Sequence, residues 1–599
     1  MRIEREICRQ APMLCLLMLA IMIVAGCDSS AVVQQGRIVD TAVAGLNYTT
    51  ESQSGVTGSD GGFSFVAGET VSFSVGEFEI ASIPAKETIN WFELGGLTEI
   101  PIGNSAVRAA LYDEFDHNGD GVYDAPSLSR VGAIASLLTT LDDDYDSSNG
   151  IAIVAAVAEM LGADSDLTLE YSTSPRWSSD FRFVLRQAAA TQLLPAREAR
   201  NGSLEVAALY ARMGLDPGHK VNTRYARDND ADGGSDWVRF LTYDSATGRV
   251  VRDEYDENND GVIDNVFTQS YHDNLYGDLY TTDRGNDGVE SSRDWDLDAF
   301  GDVIRYEERR DSTLYQLETR ELDPATGLYT RREVTNPVTC AHTIETWTMD
   351  EHGNRPTATI DNDGDGAPEI YITLTYDAPN SLWTGRQDDT NGDGIADIAT
   401  TRSFDGDGNL LSQRRDDGAD GSIDYIDQRT HDAGGFMTHR EIDNENDGVI
   451  DVEYFWERNS RGQILSSSRE ENGVQVYADQ TTYNDAGQRL THRRDNDGDG
   501  DFDYSYTYVY DSDGRQLEYS YDAGDDGVPD RIYTYTYTSD GQLAEYQYDS
   551  NADGFPDRRS VRSYDDDGFL TAIEEMTGDV LRSVAHYENY IAMTIAAAL

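Results

Sequence analysis

Glycine returns at the sixth position of one acidic pattern, DxDxDGxxD, at Gly233, Gly261, Gly288, Gly366, Gly394, Gly421, Gly448, Gly500, Gly527 and Gly554. Successive copies stand 28, 27, 78, 28, 27, 27, 52, 27 and 27 residues apart, so the two long gaps are close to three and two periods. A period near 27 gives about thirteen units, ten of which keep the acidic loop. A second glycine follows 14 residues later in an aromatic-Asp-x-x-Gly turn: Phe404, Asp405, Gly408; Tyr510, Asp511, Gly514; Tyr564, Asp565, Gly568; and more loosely His431, Asp432, Gly435. Between the turns residues alternate strictly, as in Tyr504, Ser505, Tyr506, Thr507, Tyr508, Val509, Tyr510 and in Tyr533, Thr534, Tyr535, Thr536, Tyr537. Each unit is thus a β-hairpin with a tyrosine ladder on one face. Some two dozen strands cannot stay one flat open sheet, because a twist of about 20° per strand accumulates and open sheets rarely exceed about ten strands. The array has to coil or break into blades.

The acidic loops are where chemistry is expected. Oxygens at positions 1, 3 and 5, a glycine for the sharp turn at 6, a carbonyl at 7 and a carboxylate at 9 offer the oxygen-rich shell that Ca²⁺ prefers; Mg²⁺ demands tighter octahedral geometry and keeps its waters. The fullest sets are Asp361, Asp363, Asp365, Glu369; Asp495, Asp497, Asp499, Asp503; Asp256, Asn258, Asp260, Asp264; Asp389, Asn391, Asp393, Asp397; and Asp549, Asn551, Asp553, Asp557. Asp228, Asp230, Asp232, Asp236 and Asp443, Glu445, Asp447, Asp451 follow the same rule. Gly285, Gly418 and Gly524 occupy position 3 in three copies, which lose a ligand; two of these keep Asp416, Asp420, Asp424 and Asp522, Asp526, Asp530. An isolated copy, Asp116, Asn118, Asp120, Asp124, precedes the array, and Asp142, Asp144 and Asp146 form a poorer one without the glycine. The competing account is a set of solvated Asx turns, which aspartate and glycine form unaided. Against it, two carboxylates about 4 Å apart at an effective dielectric near 20 repel by about 4 kcal/mol, unless a cation lies between them.

The tyrosine-aspartate-glycine turns resemble the YD (RHS) repeat family, which implies a long spiral β-sheet; the unit here is longer and its second turn acidic. The family's toxin-delivering members enclose a C-terminal effector, for which the 31 residues after Gly568 leave no room. The loops are similar to EF-hand-like loops, and more closely to the hairpin calcium loops of integrin-type FG-GAP propellers and thrombospondin type 3 repeats. An EF-hand carries glutamate at position 12, where this chain has Phe267, Ile372 and Thr400. A helix-loop-helix is therefore rejected, and affinity should fall toward about 10⁻⁴ to 10⁻³ M, suited to constitutive loading outside the cytoplasm.

With 111 acidic against 46 basic residues the formal charge is −65, which makes nucleic acid no partner and anionic lipid surfaces poor partners for the chain as a whole. The 35 tyrosines, 17 phenylalanines and 7 tryptophans argue against a disordered acidic tail. At the N-terminus Arg2, Arg5 and Arg9 precede an apolar run from Ala11 to Val24, too short to span a bilayer and suited to a signal peptide. Val24, Ala25, Gly26 and Cys27 resemble the bacterial lipobox, which implies cleavage before Cys27 and its lipidation, hence a membrane partner and a bacterial cell-envelope location. Cys340 is then the one thiol of the processed body, and no intramolecular disulfide is expected.

The expected organisation is a signal peptide over 1–26, an anchor linker over 27–35, a β module over 36–100, a helical region over 101–222, the hairpin repeats over 223–572 and a C-terminal cap over 573–599. Turn signals around Asp60, Gly61, Gly62 and Phe63 make the β module resemble prealbumin-like or carboxypeptidase-regulatory-like domains. In the helical region Val131, Ile134, Leu137, Leu138 and Leu141 share one stripe, and one helix is expected to run from Ser203 as N-cap to Gly214. The class is mainly β: a small N-terminal β-sandwich, a short α-helical region, then a long antiparallel β-hairpin array wound as an RHS-like spiral or, alternatively, cut into β-propeller blades. The nine histidines show no zinc spacing, and no nucleophile elbow or phosphate loop appears, so an enzyme is not expected. The leading expectation is a lipid-anchored envelope scaffold with structural Ca²⁺, contacting polysaccharide or another surface protein; the alternative is a carbohydrate-binding or carbohydrate-processing surface protein.

Overall fold

The computed structural model describes residues 32–112, 127–162, 166–171, 174–272, 277–350, 353–377 and 382–597. The signal-peptide run, Cys27 and the loop of Asp116, Asn118, Asp120 and Asp124 lie outside the described residues.

Two small sheets come first. Val33–Ile38 pairs antiparallel with Gly62–Val66 and parallel with Thr88–Ile89, while Asn47–Thr49, Ser54–Val56, Thr70–Val75 and Phe78–Pro84 make the second sheet. Strand alternation turns Phe63, Phe65, Val71, Phe73 and Val75 inward, and Phe63 meets Phe73 edge to face with centroids 5.2 Å apart. The same core continues into the helices Ser127–Thr140, Ser179–Ala190 and Gly202–Met213 through Val131, Ile134, Leu138, Phe181 and Leu209. Gly214, left-handed at φ 67°, ends the last helix as its sequence implies. Its N-cap is Asn201, not Ser203: the Asn201 carboxamide accepts the N–H groups of Ser203 and Leu204, which places Ser203 inside the first turn.

From Lys220 to Ala592 the chain forms 28 strands, each antiparallel to the next, and the first pairs with the last. The closing register runs from Lys220 opposite Ala592 to Asp228 opposite Val584. The array is therefore one closed barrel. This pairing corrects the propeller, because among the described residues no break separates blades, and the RHS-like spiral expected from the sequence takes the form of a sheet whose first and last strands meet, so neither is left as an edge. Fourteen hairpins replace the thirteen expected units. At the end where the other ten hairpins carry acidic loops, four hairpins have short turns instead, at Asp311–Ser312, Pro337–Cys340, Asn472–Gly473 and Gly578. The expected C-terminal cap instead contains the closing strand, Val580–Ala592, whose lack of an acidic loop hid it from the repeat pattern.

A sheet of 28 strands at about 4.8 Å spacing has a perimeter of about 130 Å, more than side chains can fill in the manner of an eight-stranded barrel. The main apolar core is confined to residues 38–210 and Ile595. The barrel is held by other means. One face, the more covered one and on a closed sheet the inner one, stacks aromatics across strands: Tyr519 on Tyr533 at 4.2 Å, Tyr533 on Tyr548 at 4.7 Å and Tyr225 on Trp237 at 5.1 Å. The same face pairs Asp427 with Arg429 and Arg440, and Glu318 with Arg320 and Arg332. At the ends of five outgoing strands a tyrosine adds a latch to the neighbouring hairpin: Tyr243, Tyr271, Tyr376, Tyr537 and Tyr564 each donate their hydroxyl to the carbonyl 21 residues earlier, at 2.8 to 3.2 Å.

The two rims differ. One carries the Asx turns, tied to one another by Gln463, Gln488 and Gln542, which donate to the Gly487, Gly514 and Gly568 carbonyls. The helical region seats on this rim. Arg186, whose side chain is 2% exposed, bridges Asp298 and Asp302 at 2.7 and 2.5 Å, lies 4.3 Å over Phe300, and fills the space that a Cβ on Gly327 would need. Asn104 and Arg108 donate to the Gly568 and Asp540 carbonyls, and Lys220 pairs with Asp567. The other rim carries the acidic loops.

Candidate metal centres

Each acidic loop closes on its own backbone before any ion is considered. The carboxylate at position 1 accepts the N–H of the position-6 glycine in all ten barrel copies, at 2.7 to 3.2 Å. In nine copies the carboxylate at position 9 accepts the N–H of position 2, at 2.5 to 2.8 Å. The exception is the Asp283 loop, where Ser291 stands at position 9. The side chains at positions 3 and 5 repeat the motif two residues on, as in Asp363 to Asp365 and Asp365 to Ala367. Position 9 thus commits one oxygen to the position-2 N–H, whereas at position 1 both oxygens accept loop N–H groups in eight copies, as at Asp256, Asp361 and Asp495, and the Asp228 Oδ1 is left without a partner.

Three loops gather carboxylate oxygens within 4.8 Å of one another: Asp228, Asp230 and Asp236; Asp361, Asp363 and Asp365; Asp495, Asp497 and Asp503. Among the described residues the other loops do not reach this three-acid geometry. The copies beginning at Asp256, Asp389 and Asp549 have asparagine at position 3, those beginning at Asp416 and Asp522 have glycine, and the Asp443 copy has the longer Glu445. Asp228, a member of the first of these clusters, is 4% exposed, and its Oδ1 finds no hydrogen-bond partner. An orphaned buried carboxylate oxygen among acids is what a cation would satisfy, so this donor set fits Ca²⁺.

The electrostatics follow from these contacts. Burial works to raise the Asp361, Asp389 and Asp495 carboxyls, but the loop N–H groups, led by Gly366, Gly394 and Gly500, outweigh it and hold all three below the ordinary carboxylate range. Asp228 is lowered in the same way by Gly233 and its neighbours. Away from the barrel, Asp142 behaves differently. It is almost fully buried beside Asp143 and Asp144, burial raises its carboxyl, and its Oδ2 has no partner. The looser trio of Asp142, Asp144 and Asp146 is not what converges: Asp146 turns to the Ser148 N–H and Asp143 takes its place.

Two features escaped the spacing. Position 4 is left-handed in every barrel loop, occupied by Ala231, Asn259, Asn286, Gly364, Gly392, Ala419, Asn446, Gly498, Asp525 and Ala552. The constraint is tightest at Gly498, where a Cβ would sit 2.0 Å from the Gln475 carbonyl oxygen. Asn259 and Asn446 use this position to donate to the Ser235 and Ile423 carbonyls of the preceding loop, linking loop to loop. The signal was the restriction of position 4 to Gly, Ala, Asn and Asp. A second cluster, His439, Glu441 and Glu453, joins two strands on one face, with His439 Nε2 3.1 Å from Glu453 Oε1. His-x-Glu placed two of these on one face, and the third needed the strand register that sets Glu441 opposite Glu453.

Among the described residues no helix is long and apolar enough to cross a membrane. No protein-family model matches the chain. A stretch of 90 residues, 14% of the chain, is 42% identical to an AcfD homolog of Escherichia coli (strain K12) and 41% identical to YghJ of Escherichia coli O78:H11 (strain H10407 / ETEC), both named as lipoproteins. The match spans only 5% of the length of each relative. Among solved structures the chain is similar to the Tc holotoxin pore of Photorhabdus luminescens, at 12% identity over 64% of this chain and 22% of that one, with a TM-score of 0.27. It is also similar to the TcdB2–TccC3 complex, at 13% identity over 61% and 26%, with the same TM-score of 0.27.

Proposed function

We propose that the chain is a calcium-loaded, non-enzymatic scaffold of the bacterial cell envelope, lipid-anchored through Cys27, whose barrel presents a rigid rim for contact with a polysaccharide or another surface protein. The observation that carries this reading is the repetition of one clamped acidic loop around one rim, with the Asp228 Oδ1 left unsatisfied inside its cluster. Calcium would be held by the position 1, 3, 5 and 9 side chains and the position 7 carbonyl, and would supply charge neutralisation rather than chemistry. The lipoprotein-named relatives support the envelope location through the short stretch they share with this chain. Scanning calorimetry with calcium and with EGTA tests the ionic part: a rise in melting temperature with calcium is expected, and an unchanged profile rejects it.

A second reading, carbohydrate binding, is favoured by the continuous tyrosine face of Tyr506, Tyr519, Tyr533, Tyr535, Tyr546 and Tyr548, because aromatic rings stack on sugar faces. Binding on a glycan array would select it, whereas a pure scaffold shows none.

A further inference from the structure

Turn tips ordinarily carry Gly, Asn, Asp or Ser, since an apolar side chain gains nothing there. This barrel does the opposite on one rim. Among its described residues, every large apolar side chain more than half exposed lies at the acidic rim: Val262, Val289, Ile395, Val449, Val528 and Phe555 at loop position 7, Val338 in a short turn, and Val474 and Val580 at the first strand position after one, at 51 to 79% exposure. Elsewhere in the barrel the most exposed such residue, Phe436, reaches 44%. The helical region seats on the opposite rim, and no described segment covers these tips.

We infer that the calcium-loaded acidic rim docks on an anionic phospholipid bilayer, with headgroup phosphate oxygens completing the cation shells and the apolar tips entering the acyl boundary. The inference rests on the calcium reading above. The loops offer ligands at five positions where calcium takes six to eight, and the loops with Gly418 or Gly524 at position 3 offer four. The open places are filled from outside, and phosphate oxygen is the hard anionic donor that a bilayer supplies everywhere. Position 7 gives the cation its carbonyl and the surroundings its side chain, so in the loops with an oxygen at position 3 the tips Val262, Ile395, Val449 and Phe555 stand beside a candidate cation place, whereas the loops of Asp228, Asp361 and Asp495 carry Gly234, Ala367 and Asp501 there. Adjacent loops are two strands, about 10 Å, apart. Single apolar residues at that spacing, four of them in loops with an oxygen at position 3, match a fluid surface with phosphate above and hydrocarbon below, where a protein partner would require one contiguous patch. The formal charge of −65 opposes approach to the same surface, and seven bound ions lower it only to about −51, so docking depends on calcium at the rim itself, held between loop carboxylates and phosphate.

The test uses the full chain carrying Cys27→Ser, so that no acyl group carries it to lipid, in cosedimentation with vesicles of phosphatidylglycerol and phosphatidylcholine or of phosphatidylcholine alone. Binding is expected to the mixed vesicles in millimolar calcium and to be lost in EGTA. A variant combining Val338→Ser, Val474→Ser and Val580→Ser, all exposed and outside the acidic loops, should keep its calcium uptake by titration calorimetry and bind the mixed vesicles about tenfold or more weakly. Calcium uptake without vesicle binding overturns the docking and leaves the calcium reading standing. Absence of calcium uptake overturns both. Binding that persists in EGTA, or that the serine variant retains in full, also overturns the docking.

Discussion

Asp495 shows how much one side chain carries. Its carboxylate accepts the N–H groups of Asp497, Gly498 and Gly500, so Asp495→Ala removes the acceptor for three loop donors at once. A loss of about 2 kcal/mol is expected in urea unfolding of the calcium-free chain, and more with calcium present. The sign of the pH dependence is set by the same contacts. Carboxyls lowered in the fold, as at Asp361, Asp389 and Asp495, contribute stability that is complete above the ordinary value of 3.8 and is lost as pH falls through their lowered values. Thermal melts of the calcium-free chain should therefore hold level in this respect from neutral pH to about 4 and decline below it; loss of loop stability between pH 7 and 5 would contradict this. Gly327→Ala is expected to loosen the seat of Arg186, because its φ of 73° and its 2.3 Å approach to the Arg186 Nε both exclude a Cβ. Faster proteolysis between the helical region and the barrel would register it.

The hairpin was largely legible in the sequence. Period, turn glycines and alternation all express local backbone needs, and they located the acidic turns of the nine barrel copies named from the sequence. The tyrosine latches and the short turns were not legible. A latch such as Tyr564 to the Leu543 carbonyl joins residues 21 apart through a register that no single repeat contains. The Asn472–Gly473 turn has no acid to mark it, although its strands, Ile464–Glu471 and Val474–Tyr483, pair like the others. These two hairpin types suggest an exchange. Replacing the loop from Thr390 to Ala396 with an Asn-Gly turn should leave the barrel's circular dichroism unchanged and lower calcium stoichiometry by one; an unfolded product would show that the acidic loop is needed to form its hairpin.

At the scale of the whole molecule, closure was beyond the sequence because it depends on one long-range pair, Lys220–Asp228 against Val584–Ala592, at opposite ends of the array. The division of labour was also hidden. Nearly all the fully buried apolar side chains lie in the N-terminal modules, while the barrel relies on ladders, stacked tyrosines, ion pairs and loops. Its unfolding exposes little apolar surface per residue, so calorimetry should return a heat-capacity change below the usual about 12–15 cal/mol/K per residue. Rim-wide cation loading would then act on the barrel far more than on the N-terminal modules. The most direct measurement is equilibrium dialysis of the intact chain against millimolar calcium, with bound metal counted by mass spectrometry. The account predicts about seven ions held by loops with an oxygen at position 3, with weaker uptake by the copies carrying Gly418 and Gly524; a chain that retains no calcium would contradict it.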